Sequence, residues 1–74
     1  MQYLVVIEQG PRSFGAYVPD LPGCIAAGET REEVSMLIHE AIELHIEDLK
    51  AQGQQVPNPH SSGELVSVSD RADR

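Results

Sequence analysis

The residues able to do chemistry are few: one cysteine, Cys24, and three histidines, His39, His45 and His60. A thiol beside an imidazole can give a thiolate and a base, but no nucleophile elbow or oxyanion pattern surrounds these positions. Cys24 follows a tight turn into an apolar run and reads most simply as a small buried side chain. No pair of Cys or His residues has zinc-ligand spacing, so no metal is expected, and no cofactor motif is present either. Asp20, flanked by Pro19 and Pro22, could act as an acid; an Asx-type turn, in which it bonds its own following amides, explains it at least as well. Glu40, Glu43 and Glu47 repeat at helical neighbour spacing, which makes either a solvated face or a docking surface for a basic partner. The chain is therefore not expected to be an enzyme.

These residues are held by a short series of elements. Tyr3–Ile7 is a continuous β-branched and apolar run ended by Gly10-Pro11, which reads as a strand. Ser13–Val18 alternates Phe14, Ala16 and Val18 against Ser13, Gly15 and Tyr17, and the short connection predicts a hairpin with the first run. Pro19-Asp20-Leu21-Pro22-Gly23 can continue neither a helix nor a central strand, because its two prolines lack amide donors. Cys24–Ala27 then resumes a short strand, stopped by Gly28. Thr30 with Glu33 has the spacing of a capping box, in which the Thr30 hydroxyl takes a first-turn amide and Glu33 reaches back to the Thr30 amide.

The helix predicted from that start runs over Arg31–Gln52, with Lys50 near its end and Gly53 as a left-handed stop. Val34, Leu37, Ile38, Ala41, Ile42, Leu44 and Leu49 gather on one broad face, with His45 near its middle. Met36 and Ile46 lie off that face and His39 points elsewhere. After a Pro- and Ser-rich connection containing His60, Glu64–Ser69 alternates weakly around Leu65, Val66 and Val68 and predicts a fourth, edge-like strand. The polar stretch Asp70–Arg74 is expected to fray, leaving one domain over residues 1–69.

Composition narrows the function classes. A core built from 74 residues rarely supplies more than about 3 to 5 kcal/mol, and chains this short usually add disulfides, a metal or a partner. One cysteine makes no internal disulfide, so self-association is the remaining support. Twelve acidic against five basic residues give a net charge of -7, which repels a phosphate backbone and fits a basic protein partner better than nucleic acid. No apolar run approaches the roughly 20 residues that span a bilayer, and no basic leader opens the chain, so a cytoplasmic location is expected.

The run Pro19-Asp20-Leu21-Pro22-Gly23-Cys24, then Gly28-Glu29-Thr30 with Glu33 at a capped helix start, and Val56-Pro57-Asn58-Pro59 after the helix, resembles the HicB-like antitoxin family over nearly the whole chain. The resemblance implies an α+β fold of order β-β-β-α-β, an antiparallel sheet packed on one helix, described as a partial ribonuclease-H-like fold. It implies a partner, a small basic toxin of the HicA kind that cleaves messenger RNA and is silenced by masking. It does not imply cleavage by this chain, because ribonuclease H chemistry needs a carboxylate inside the opening strand, and Tyr3–Ile7 has none. Many members carry a DNA-binding segment after this domain; none is legible before Arg74, so operator binding is not expected. The motif residues Pro19 to Cys24, Gly28, Thr30 and Glu33 would be mainly structural. Asp20, Glu29, Glu40, Glu43 and Glu47 would touch the partner. A homo-oligomer, dimer or tetramer, completes the expectation, and an orphan oligomerisation or regulatory module without a toxin is the alternative.

Overall fold

The computed structural model describes residues 1–69. Strands β1 (Val6–Gln9), β2 (Phe14–Tyr17) and β3 (Ile25–Gly28) form an antiparallel sheet in the order β1-β2-β3, and helix α1 (Arg31–Ala51) packs across it. The β1–β2 hairpin pairs Val6 with Tyr17 and Gln9 with Phe14, closed by the Gly10 amide on the Ser13 carbonyl at 2.8 Å. The first strand thus starts three residues later than the apolar run suggests. Beyond Tyr17 the facing chain is Val18-Pro19: the Val18 amide bonds Cys24 on the other side, and Pro19 has no amide to give. Tyr3, Leu4 and Val5 are half-buried without a partner strand.

Two consecutive turns carry the chain from β2 to β3. The Leu21 amide bonds the Val18 carbonyl at 3.1 Å, and the Cys24 amide bonds the Leu21 carbonyl at 3.1 Å. In the second turn Pro22 occupies the position that prefers φ near -65°, and Gly23, at φ 85°, occupies the one that needs the left-handed region, the signature of a type II turn. The consequence is that Leu21, a loop residue, points inward. It joins Ala16, Val18, Cys24, Val34 and Ile38 as the buried core, with Tyr3, Val5, Ile7, Phe14, Ile42 and Ile46 packed around them.

The helix begins as its residues dictate. Thr30 Oγ1 accepts from the Glu33 amide at 3.0 Å, while Glu33 Oε1 accepts from the Glu29 amide at 2.6 Å, one residue earlier than the simple capping box places it. At the other end the Gly53 amide bonds Lys50 and the Gln54 amide bonds Leu49, a Schellman closure with Gly53 at φ 73°. Gly28 sits against the helix start: a Cβ there would lie 2.9 Å from Glu33 Oε1 and 3.1 Å from the Val34 amide nitrogen. Gly28→Ala is therefore expected to displace the Glu33 cap and lower stability by about 1 kcal/mol, the usual worth of an N-cap. A urea midpoint unchanged from the native protein would refute this.

Two expectations need correction. The helix is rotated relative to the predicted stripe: Ile46 packs on the core, whereas Leu44 is 65% exposed and Leu37 lies at the margin. Burial is decided by where the sheet lies, and α1 crosses β2 and β3 more closely than β1. The second correction concerns the fourth strand. Among the described residues no strand follows α1, and Leu65, Val66 and Val68 are 102%, 71% and 85% exposed. Alternation makes a strand only when an edge is alongside it, and in one chain none is. The expectation for Asp70–Arg74 lies outside the described residues.

Candidate functional site

Asp20 organises the end of the sheet farthest from the β1–β2 hairpin. Its local donors are already taken or missing, since Leu21 bonds Val18 and neither neighbouring proline carries an amide. A buried carboxylate must then find donors elsewhere. Oδ2 accepts from the His60 and Ser61 amides, each at 2.8 Å, and Oδ1 accepts from the Ser61 hydroxyl at 2.7 Å. His60 Nε2 lies 3.2 Å from Oδ1, with the imidazole mostly exposed. The Ser61 hydroxyl bond lowers the Asp20 pKa most, burial opposes it, and the two amides and the His60 charge add to the lowering, which brings it to about 2.

Although aspartate, histidine and serine meet here, the arrangement does not activate a nucleophile. The Ser61 hydroxyl donates to the carboxylate and not to the imidazole, so its proton is held where a general base would have to remove it. What the cluster does is pin the chain after α1 to the turn after β2. The Tyr3 hydroxyl reinforces this by donating to the Pro57 carbonyl, and a side chain at Gly63 would approach Leu4 Cδ1 to 3.3 Å. Residues 57–63 are thereby strapped across the N-terminal stretch. The Asx-turn reading of Asp20 is replaced by bonds over forty residues, which engage both of its carboxylate oxygens inside the chain.

The remaining motif residues divide by role. Pro19, Leu21, Pro22 and Gly23 form the double turn, Gly28, Thr30 and Glu33 the helix start, and Cys24 is buried with its thiol pKa raised by desolvation. Glu29, Glu40, Glu43 and Glu47 are exposed. Glu40, Glu43 and Glu47 share one face of α1 and at 1.5 Å rise per residue span about 10 Å, while Glu29 precedes the helix, so they form an acidic face and not a point-like site. His39, His45 and His60 are not brought together, and among the described residues no group of three potential ligands could hold a metal ion. No helix among those residues is long and apolar enough to cross a membrane.

Sequence reasoning missed three participants. His60 and Ser61 were legible only through the donor shortage around Asp20. The third is a groove of about 350 Å³ between the N-terminal stretch and α1, lined by Met1, Tyr3, Val5, His39, Ile42 and Glu43. It exists because α1 leans toward β3 and leaves the β1 side less covered.

Comparison with known proteins agrees with this geometry. Residues 3–74 match the family model described as HicB-like antitoxin of bacterial toxin-antitoxin system. An uncharacterized 14.9 kDa protein of Haemophilus phage HP1 is 30% identical over 99% of this chain, which spans 55% of that protein's length. A UPF0150 protein of Thermoplasma acidophilum is 36% identical over 82% of this chain and 90% of its own. Among solved structures, a chain of a HicA3 and HicB3 toxin-antitoxin complex superposes with a TM-score of 0.69 at 35% identity, covering 81% of this chain and 70% of that one.

Proposed function

This chain belongs to the HicB-like antitoxin family, and from that premise we propose that it neutralises a small basic messenger-RNA-cleaving toxin of the HicA kind by covering it. The observation that carries the reading is the exposed acidic face of Glu40, Glu43 and Glu47, with Glu29 exposed ahead of the helix, on a scaffold whose buried carboxylate, Asp20, is fully engaged inside the chain. Masking asks nothing more of the inhibitor than an interface of roughly 1,200 to 2,000 Å² and no reactive group. A net charge of -7 favours encounter with a cationic surface and disfavours direct contact with RNA or DNA. The partner is also kept within the aqueous compartment where the messenger is, the cytoplasm.

The structure of the complex named HicA3 and HicB3 supports a HicA-like partner for this chain by analogy. The test is co-expression with the small basic protein encoded beside it. Co-purification and relief of growth arrest are expected, and Glu40→Lys with Glu43→Lys and Glu47→Lys should slow association by on the order of tenfold or more at low salt. If the two proteins neither co-purify nor restore growth, masking is wrong and an orphan oligomerisation module takes its place.

A further inference from the structure

We propose that residues 64–69 of one copy lie along the β1 edge of a second copy, with Val66 and Val68 filling the groove between β1 and α1. The segment Leu65-Val66-Ser67-Val68-Ser69 is an uncharged stretch in a strongly acidic chain, and its three apolar side chains are left in solvent. In an extended conformation Val66 and Val68 share one face and Leu65 the other. The receiving site is equally unfinished. β1 is an outer strand, so alternate amides and carbonyls along it face away from β2 and are open to a further strand.

The dimensions agree. Six extended residues reach about 20 Å, the same length as Tyr3–Glu8 on the receiving edge. The groove beside that edge is about 350 Å³, more than twice the roughly 150 Å³ that holds a benzene ring, and Tyr3, Val5 and Ile42 give it an apolar floor. Leu65, on the opposite face of the arriving strand, meets the outer side of β1 where Leu4 and Val6 are half-buried.

Charge selects this contact over others. Two copies of net charge -7 repel, and the acidic ridges of α1 cannot face one another without cost. Exchange of the neutral arms leaves the ridges free on the outside. The Asp20 strap fixes where the arm departs, because residues 60 and 61 are pinned and Gly63 lies beside Leu4. Every copy carries both arm and groove, so a two-fold exchange or a closed ring satisfies all of them. This inference does not depend on the toxin reading.

The experiment uses the full chain. Native protein is expected to assemble in size-exclusion chromatography with light scattering, and Val66→Asp with Val68→Asp to fall to the 8.1 kDa monomer with its helical circular dichroism intact. In a second measurement, chains carrying Val68→Cys are mixed with chains carrying Glu43→Cys and oxidised. A disulfide-linked pair is expected, formed much faster than with Asp48→Cys, which lies about 140° round the helix from Glu43. A monomeric native protein, an assembly that survives the aspartates, or cross-linking of the Val68→Cys and Glu43→Cys chains no faster than that of the control mixture would overturn the proposal. Toxin co-purification by the aspartate variant, read in parallel, separates loss of exchange from loss of masking.

Discussion

Leu21→Ala is expected to leave the protein largely unfolded at room temperature. Leu21 is completely buried, and it reaches the core because the turns on either side of it reverse the chain twice within seven residues, Val18 to Cys24. Truncating a buried leucine removes its transfer free energy and leaves a cavity, together about 2 to 5 kcal/mol. A core of this size supplies about 3 to 5 kcal/mol in all. Far-UV circular dichroism of the variant should therefore lack most of the α1 signal, and its urea midpoint should lie near zero denaturant. Leu65→Ala serves as the control: that side chain touches nothing in one chain, so the change should stay within about 0.5 kcal/mol under conditions that keep the protein dilute. A folded Leu21→Ala protein with a near-native midpoint would show that the double turn, and not its leucine, holds the sheet to the helix.

That residue also marks where sequence reasoning reached its limit. The elements themselves were legible because their signals are local: the hairpin through Gly10-Pro11, the stop at Gly28, the Thr30 cap and the Gly53 closure each depend on neighbours a few positions away. The inward direction of Leu21 was not, since Pro-Asp-Leu-Pro-Gly announces a turn without saying which side chain the turn drives into the core. The helix face was misjudged for a related reason. Periodicity places Leu44 on the stripe and Ile46 off it, and only the position of the sheet against α1 selects Ile46. The alternation of Leu65, Val66 and Val68 announced a strand that is not formed among the described residues, because alternation reports a two-faced segment and not an edge for it to pair with. Of the candidate contact residues, Glu40, Glu43 and Glu47 were legible as exposed by their helical spacing, whereas the internal commitment of Asp20 depends on partners forty residues away.

Asp20→Asn should release the strap while leaving the sheet and helix in place. The substitution keeps the side-chain volume but replaces one acceptor oxygen with an amide group, which has hydrogens to give where the Ser61 hydroxyl and the His60 and Ser61 amides also give theirs. Three donors then compete for one acceptor, and the segment from Pro57 to Gly63 lifts away from Leu4. Amide hydrogen exchange at His60 and Ser61 should approach that of an open peptide, and proteases should gain access to that segment, while α1 stays protected. The same carboxylate predicts an acid response. Its pKa in the folded chain is about 2, below the ordinary 3.8, so the unfolded chain binds the proton first as pH falls. The contribution of Asp20 is complete above the ordinary value, declines as pH drops from about 4 toward about 2, and is gone below that. Urea midpoints of native and Asp20→Asn protein should accordingly differ at neutral pH and converge near pH 2. A constant difference across that range would mean that the carboxylate's charge contributes nothing to the strap and that shape alone holds residues 57–63 in place.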